Sequence, residues 1–470
     1  MKKSSEEPIP KWLAKEDPLS LNNRLLSYCG LLPANTDAEE RRNLVICTVM
    51  IILNLTMITG AFIQAYFSHT NFMEIIECGT VCITQLKCLL KFLTMLICHK
   101  DLRYVINNVT RNFYVHEKLF KEEIISKIKA GKKVAWWITV PYTSMFILTI
   151  GLIAAEQIVA AIKHADRFSA EGNETEVTGV YHRKLPLKIW LPINVKESPS
   201  YEIGFMYQVV CFTFEIYSTC IIDTFIVVHV MFASIQYELL GEMIQLSADK
   251  VAMLLRVRSE SSQQDSEHKA GSLHSEYETE TVDKQNTKLS NGEVTYISNK
   301  ENLMSTPTTD AFRREMNIYL GRCIKHHQSL LKYIVHLNIL SSPIQFLQAL
   351  TSSLLICTLG FTAIVSGSTA ILPKVLMYTF DALLQIGLPC WFSTQLRVQG
   401  ERIAEAAYAC EWYNEPASFQ KSVGFVIMRA QQPVVLTMGP FGTVSLELFA
   451  AVVQSAYSYL ALLRNVYAEQ

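Results

Sequence analysis

"GTVSLELFAAVVQSAYSYLALLRNVYAEQ", residues 442–470, is long and apolar enough to cross a bilayer, because about 20 helical residues span a hydrocarbon core about 30 Å thick. Glu447, Gln454, Ser458 and Asn465 nevertheless interrupt the run. Steps of helical length from Glu447 reach Ala451, Gln454, Ser458, Leu462 and Asn465, so small and polar side chains share one stripe. Leu446, Phe449, Val453, Leu460 and Leu463 cover the remaining surface, as packing on protein or lipid requires. A polar group facing lipid costs several kcal/mol. The stripe therefore faces either a water-filled axis or a neighbouring helix to which Gln454 and Ser458 hydrogen-bond. Spacing alone leaves both readings open.

Composition agrees with a membrane setting. Half of the 470 residues are apolar, 18% are charged and the mean hydropathy is +0.19, too apolar for an ordinary soluble enzyme. The formal charge of −1 gives no reason to expect nucleic acid as a partner. The chain carries no paired C-x2-C motif, phosphate-binding loop or dinucleotide fingerprint. No paired nucleophile and base stands out, so neither catalytic residues nor a metal or other cofactor is expected.

Seven segments qualify as spans: 43–67, 73–98, 134–160, 203–234, 343–366, 373–396 and 441–465. The expected fold class is an all-α membrane protein of seven transmembrane helices. Its parts are a cytosolic segment 1–42, helices 1–4 within 43–234, a cytosolic loop 235–342, helices 5–6 within 343–396, cytosolic anchor helices in 397–440 and helix 7 in 441–470. Nothing before residue 43 resembles the apolar core of a signal peptide, so the first span is expected to direct insertion.

Lys and Arg set the orientation, since they accumulate in cytoplasmic loops. The 1–42, 99–133, 235–342 and 397–440 segments hold 32 of them, against six in the alternate loops, all within 161–202. The N-terminus is thus expected in the cytosol and the C-terminus outside. The sequon at Asn173 falls in a loop that this plan makes extracellular, where glycosylation is possible. Those at Asn54 and Asn108 fall in a span and a cytosolic loop and read as chance. A G-protein-coupled receptor also has seven spans, but with its N-terminus outside and commonly with a disulfide to an outer loop. Here the outer loops hold no Cys, and the twelve cysteines read as small buried hydrophobes or reduced thiols.

Residues 258–310 are rich in Ser, Thr, Glu and Gln and are expected to be a disordered cytosolic insert. After it, "FRREMNIYLGRCIKHHQSLLKYIVHLNIL" (312–340) repeats apolar residues at helical spacing, which predicts a cytosolic extension of span 5. His326, His327 and His336 then read as exposed helical histidines rather than a metal site. The 397–440 region is also helix-compatible, ending at Pro433, Gly439, Pro440 and Gly442. Such extensions would pack together as a subunit-assembly domain. Glu74, Glu77, Lys87 and Lys91 on span 2, Glu215 and Asp223 on span 4 and Asp381 on span 6 either pair or face water. Opposed carboxylates would also suit a proton-coupled transporter, although no internal repeat is visible.

Span 7 with "SLELFAAVVQSAYSYLALLR" (445–464), preceded by "IMRAQQP" (427–433), resembles the C-terminal signature of insect odorant receptors. The inverted seven-span plan, with its long outer loop after span 3, agrees over the whole chain. The gustatory-receptor ending is absent. The long insert is like that of the family's shared co-receptor, whose C-terminal ending differs, so the resemblance is to a ligand-tuned subunit. It implies a tetramer, homomeric or mixed with the co-receptor, around a ligand-gated non-selective cation channel. The cytosolic helices would anchor the tetramer, in the plasma membrane of olfactory sensory neuron dendrites. It also implies a pore lined by helix 7, with Leu462 and Val466 at an apolar constriction beside Asn465. Glu447 either attracts cations at the cytosolic mouth or is a buried structural carboxylate. The implied ligand is a small volatile odorant held in the outer half of the bundle. Its expected pocket is Thr80 and Thr84 on span 2 and Phe146, Thr149, Ile150 and Ile153 on span 3, with Tyr207, Gln208 and Phe212 on span 4 and Tyr378 and Ala382 on span 6.

Overall fold

The computed structural model describes residues 19–34, 36–69, 71–111, 121–170, 185–195, 197, 199–256, 306–366 and 372–468. Among them the protein is all-helical, with no strand beyond a single bridge between Thr437 and Thr443. The helices are α1 (Ser20–Tyr28), α2 (Asp37–Phe67), α3 (Phe72–Ile97), α4 (His99–Arg111), α5 (Lys121–Ala170), α6 (Ser200–Gln245), α7 (Thr306–Ser366), α8 (Leu372–Ala409), α9 (Ala417–Ala430) and α10 (Leu446–Ala468). A 3₁₀ turn, Trp412–Asn414, joins α8 to α9. Six helices are long and apolar enough to cross a membrane: α2, α3, α6, α7, α8 and α10. The third expected span falls on α5, where the side chains of 152–170 lie outside the described residues. Asn173 and nearly all of the 258–310 insert lie outside them too.

Local chemistry sets the ends. Thr36 caps α2 by accepting from the Glu39 N–H at 3.3 Å, with Asp37, Glu39 and Glu40 in the first turn where the helix dipole favours negative charge. Asn71 caps α3 in the same way through the Glu74 N–H. Length does the rest. At 1.5 Å per residue the 61 residues of α7 extend about 90 Å, and the 46 of α6 about 70 Å. Both outrun a hydrocarbon core of about 30 Å, so one end of each must stand outside it.

α6 is the central pillar. It is apolar all round, and 94% of its most apolar window is buried against α8, α5, α7 and α3. Away from the expected spans, Tyr237 of α6, Tyr319, Tyr333 and Leu337 of α7, Ile403 of α8 and Phe419 of α9 lie in one buried core. This is the helical assembly expected from 312–340 and 397–440.

One expectation is corrected here and one segment gains structure. Within the 1–42 segment, residues 19–34 pack into the bundle. The Asn22 amide and Thr139 hydroxyl of α5 lie 3.4 Å apart, the Tyr217 hydroxyl of α6 donates to the Leu25 carbonyl, and Leu19 and Leu26 are buried. The turn after α1 requires glycine, since Gly30 has φ +72° and a Cβ there would lie 2.9 Å from the Asn43 carbonyl. The corrected expectation is the exposure of the three histidines. His326 and His327 are buried, and His336 meets Asp101 of α4 at 2.6 Å beneath the ring of Tyr104. α7 is wrapped by α4, α6 and α9 in turn, so few of its faces remain for solvent.

His327 carries a pH consequence. It stands in the part of α7 outside the expected membrane segment, where burial, with Arg429 nearby, pushes its pKa down from 6.5 to about 4. The folded state therefore holds it neutral while the unfolded chain protonates near pH 6.5. Its stability contribution is intact above that pH and is lost as pH falls toward about 4, by about 2 kcal/mol at pH 5. Melting at pH 7 and pH 5 is expected to show a smaller acid-induced drop in His327→Leu than in the parent protein. Equal drops would show that His327 takes no part.

Candidate functional site

α10 is held by one face only. Val452 and Ala456 are buried, while Leu448, Phe449, Val453, Leu460 and Leu463 are partly buried against α7 and α8. Two glycines allow the close approach: a Cβ on Gly360 would lie 2.8 Å from Leu460, and one on Gly387 3.4 Å from the Phe449 ring. Glu447, Ala451, Gln454, Ser458, Leu462 and Asn465 are all exposed. At about 100° per residue this stripe lies roughly 200° around the axis from the packed face. Only 11% of the helix's apolar window is buried, against 94% for α6. Ser458 donates back to the Gln454 carbonyl at 3.0 Å, but the Gln454 and Asn465 side chains have no partner among the described residues. The interhelical hydrogen bonds that spacing left open are thus not made among the described residues. The Val466 side chain lies outside the described residues.

The helix starts at Leu446 rather than at 441. Residues 437–443 instead form a tight turn, with Gly439 at φ +53°, and α7 clamps it. Asn338 accepts from the Thr437 N–H at 2.8 Å, Ser342 accepts from the Gly439 N–H at 2.8 Å, and the rings of Phe346 and Phe441 stack at 5.0 Å. α7 thus holds the turn that leads into α10.

Inside the bundle the ionisable residues pair. Lys91 of α3 donates to both oxygens of Asp223 on α6, at 2.6 and 2.9 Å, with both side chains buried. The Tyr142 hydroxyl of α5 stands 3.5 Å from the same carboxylate. One turn along α3, Lys87 donates to Gln385 of α8 at 2.8 Å. Gln385 also accepts from Gln348 of α7 at 2.9 Å and donates to Asp381 at 2.8 Å. Gln85 donates to Glu215. Five helices thus share one polar lattice at bundle depth, containing two lysines and three carboxylates. Sequence reading found the charges but missed Gln85, Gln348, Gln385 and Tyr142, whose only signal was that uncharged polar groups sat in apolar runs.

The expected pocket residues divide. Thr80 and Thr84 are half-buried on α3 and Thr149 is buried on α5, each hydroxyl donating to its own helix. Phe212 and Tyr378 are half-buried and Ala382 is buried. Two residues turn elsewhere. The Tyr207 hydroxyl meets Thr56 of α2 at 2.6 Å, and Gln208 pins the 185–195 segment by bonding both the N–H and the carbonyl of Leu187. Helical periodicity cannot show which face of α6 that loop claims. The Phe146, Ile150 and Ile153 side chains lie outside the described residues. At the outer edge Lys188 bridges to Glu77 at 2.9 Å and lies 3.8 Å from Glu74, which accounts for two of the charges on span 2. Asn54 and Asn108 are buried, as chance sequons should be.

A sequence model described as 7tm odorant receptor matches residues 71–457, from the start of α3 into α10. The chain belongs to this odorant receptor family. Odorant receptor 10 of Aedes albopictus is 32% identical over 154 residues, covering 33% of this chain and 41% of that protein. Odorant receptor Or2 of Anopheles gambiae is 30% identical over 148 residues, 32% and 39% of the two chains. The odorant receptor coreceptor of Anopheles gambiae is 24% identical over 310 residues, 62% and 64%. Matched stretches therefore span about two-fifths of the first two relatives and just under two-thirds of the third. The insect olfactory receptor OR5 of Machilis hrabei shares the fold with a TM-score of 0.71 at 14% identity, over 97% of this chain and 100% of that one. Its complex with eugenol gives 0.69 at 16% identity, over 97% and 98%. This odorant receptor is a multi-pass helical membrane protein and a receptor rather than an enzyme.

Proposed function

We propose that this odorant receptor is a ligand-tuned subunit of an odorant-gated non-selective cation channel, working as a tetramer with itself or with a co-receptor subunit in the plasma membrane of olfactory neuron dendrites. Its N-terminus lies in the cytosol, and the extramembrane core of α6–α9 forms the anchor between subunits. The observation that carries the reading is the exposed polar stripe of α10. Lys87, Lys91, Glu215, Asp223 and Gln385 inside the bundle all have side-chain partners, whereas Gln454 and Asn465 stand exposed on a membrane-length helix with no partner among the described residues. Around an aqueous axis they would cost little, whereas in lipid each would cost several kcal/mol. Leu462 and Val466 then form the apolar ring that shuts the pore by excluding water, and Glu447 stands at the cytosolic mouth to concentrate cations.

A small volatile molecule binds in the outer half between α3, α5, α6 and α8, near Thr80, Thr84, Thr149, Phe212, Tyr378 and Ala382, with Phe146, Ile150 and Ile153 completing the wall. The eugenol complex of the Machilis hrabei receptor supports a ligand of that size. The polar lattice lies within a turn or two of this set on α3, α6 and α8. Through Gln348 it reaches α7, and α7 holds the start of α10.

The test is whole-cell recording with an odorant panel, with and without the co-receptor, while G-protein signalling is blocked by a non-hydrolysable GDP analogue. Rapid cation current that survives the block is expected. Current abolished by the block would replace direct gating with a G-protein route.

A further inference from the structure

Lys87 of α3 is 5% exposed, yet no carboxylate pairs with it among the described residues. Its hydrogen bond there goes to the neutral Gln385 amide at 2.8 Å, and the same oxygen also accepts from Gln348. The carboxylates nearby offset its charge but bond elsewhere: Asp223 to Lys91, Glu215 to Gln85 and Asp381 to Gln385. A lysine ammonium carries three donors, and lysines are almost never fully buried without a partner for their charge. Lys91, one turn deeper, is closed by both oxygens of Asp223. Lys87 keeps donors that no described residue takes, and buried donors in native folds are met by protein, water or ligand.

Position says what can reach them. On α3, Thr80, Thr84 and Lys87 follow at helical steps of four and three and share one face; on α8, Tyr378, Ala382 and Gln385 repeat the same steps. In the orientation proposed above both helices run from the outer surface inward, and the Lys87–Gln385 bond sets their register. That long side chain joins the two helices in place of close backbone packing, because α3 packs on α2, α6 and α7, and α8 on α6, α7, α9 and α10. The two rows of expected pocket residues thus stand above Lys87, rising about 10 Å toward the outer surface. The hydroxyls of Thr80 and Thr84 donate to their own helix at 2.8 and 2.9 Å, which leaves Lys87 as the donor at the floor of both rows.

We propose that Lys87 is the polar anchor of the odorant pocket, and that the ligand is an apolar molecule ending in a hydrogen-bond acceptor, a ketone, aldehyde or ester, rather than a hydrocarbon. The carbonyl oxygen accepts from Lys87, and the apolar body runs outward between Thr80 and Thr84 of α3 and Tyr378 and Ala382 of α8. The inference rests on the pocket proposed above and names its ligand class.

Thermal melting of the detergent-purified receptor with two matched pairs tests it. The pairs are methyl hexyl ketone with its methylidene analogue and acetophenone with α-methylstyrene, in which a C=CH2 group replaces C=O at nearly the same shape. Each ketone is expected to bind at least about tenfold more tightly than its analogue, the worth of a hydrogen bond to a charged group. Lys87→Met is expected to erase that preference by weakening the ketones alone. Its fold should hold, because an apolar side chain of similar volume replaces a buried charge. Gln385→Glu checks the same point independently, since a carboxylate there takes up the open donors and is expected to weaken the ketones alone. Equal binding within each pair, a preference that survives Lys87→Met, or no ketone binding would each overturn the proposal. Binding is read without current, so equal binding sinks the anchor while the channel reading stands. A receptor that binds the ketones but passes no current sinks the channel reading alone.

Discussion

Lys91→Ala is expected to remove about 3–5 kcal/mol of stability, the usual result of leaving one partner of a buried ion pair alone. Asp223 would keep only the distant Tyr142 hydroxyl, inside a bundle where its own side chain is 7% exposed. Because folded proteins hold only about 5–15 kcal/mol in reserve, most of the variant should fail to reach the cell surface. Lys91→Met with Asp223→Leu removes both charges and should recover most of the loss, since an apolar pair of similar volume is often as stable as a buried salt bridge. Lys188→Ala offers the contrast, because its bridge to Glu77 is half-exposed and should be worth under about 1 kcal/mol. Thermal midpoints of detergent-solubilised protein and surface labelling give the measure. Lys91→Ala melting within about 1 kcal/mol of the parent protein would show that the pair adds little to stability.

Leu462→Ser is expected to raise the current in the absence of odorant by at least about tenfold. An apolar ring shuts a channel by making water unwelcome, and a hydroxyl at each position lets water in. A shift of about 1.4 kcal/mol in the open–shut equilibrium changes the open fraction tenfold, and the substitution acts once in every subunit that carries it. Cysteine placed at Gln454 or Ser458 should react with a charged, water-borne thiol reagent and block current, whereas cysteine at Val452 on the packed face should not. The native thiols leave this test clean, because ten of the twelve are buried and Cys82 and Cys98 are partly so. Leu462→Ser without basal current, together with unreactive cysteines at 454 and 458, would move the pore off α10.

The balance between these two sites follows from where polar groups find partners. On α3, α6, α7 and α8, Lys87, Lys91, Asp223, Gln348, Asp381 and Gln385 close on one another or on a neighbour and tie the helices together. On α10, Gln454 and Asn465 find none among the described residues, and the pore proposed here rests on that difference.

The sequence by itself determined the class and much of the plan. Apolar run lengths placed six of the seven expected spans on helices long and apolar enough to cross a membrane, because bilayer thickness fixes how many residues a helix needs. The helical extension of span 5 through 312–340 was legible from apolar spacing. The stripe from Glu447 to Asn465 was legible because helical spacing is local and needs no partner. Tertiary structure decided what depends on a facing helix. It alone showed that residues 19–34 enter the bundle, that Tyr207 turns to Thr56, that Gln208 pins the outer loop and that His326 and His327 are buried. It alone joined Lys91 to Asp223 and Lys87 to Gln385 across separations of 132 and 298 residues. A local pattern tells which residues share a face. Only packing tells what that face meets, and therefore whether a charge is paired, a hydroxyl is open or an apolar stripe is left for water.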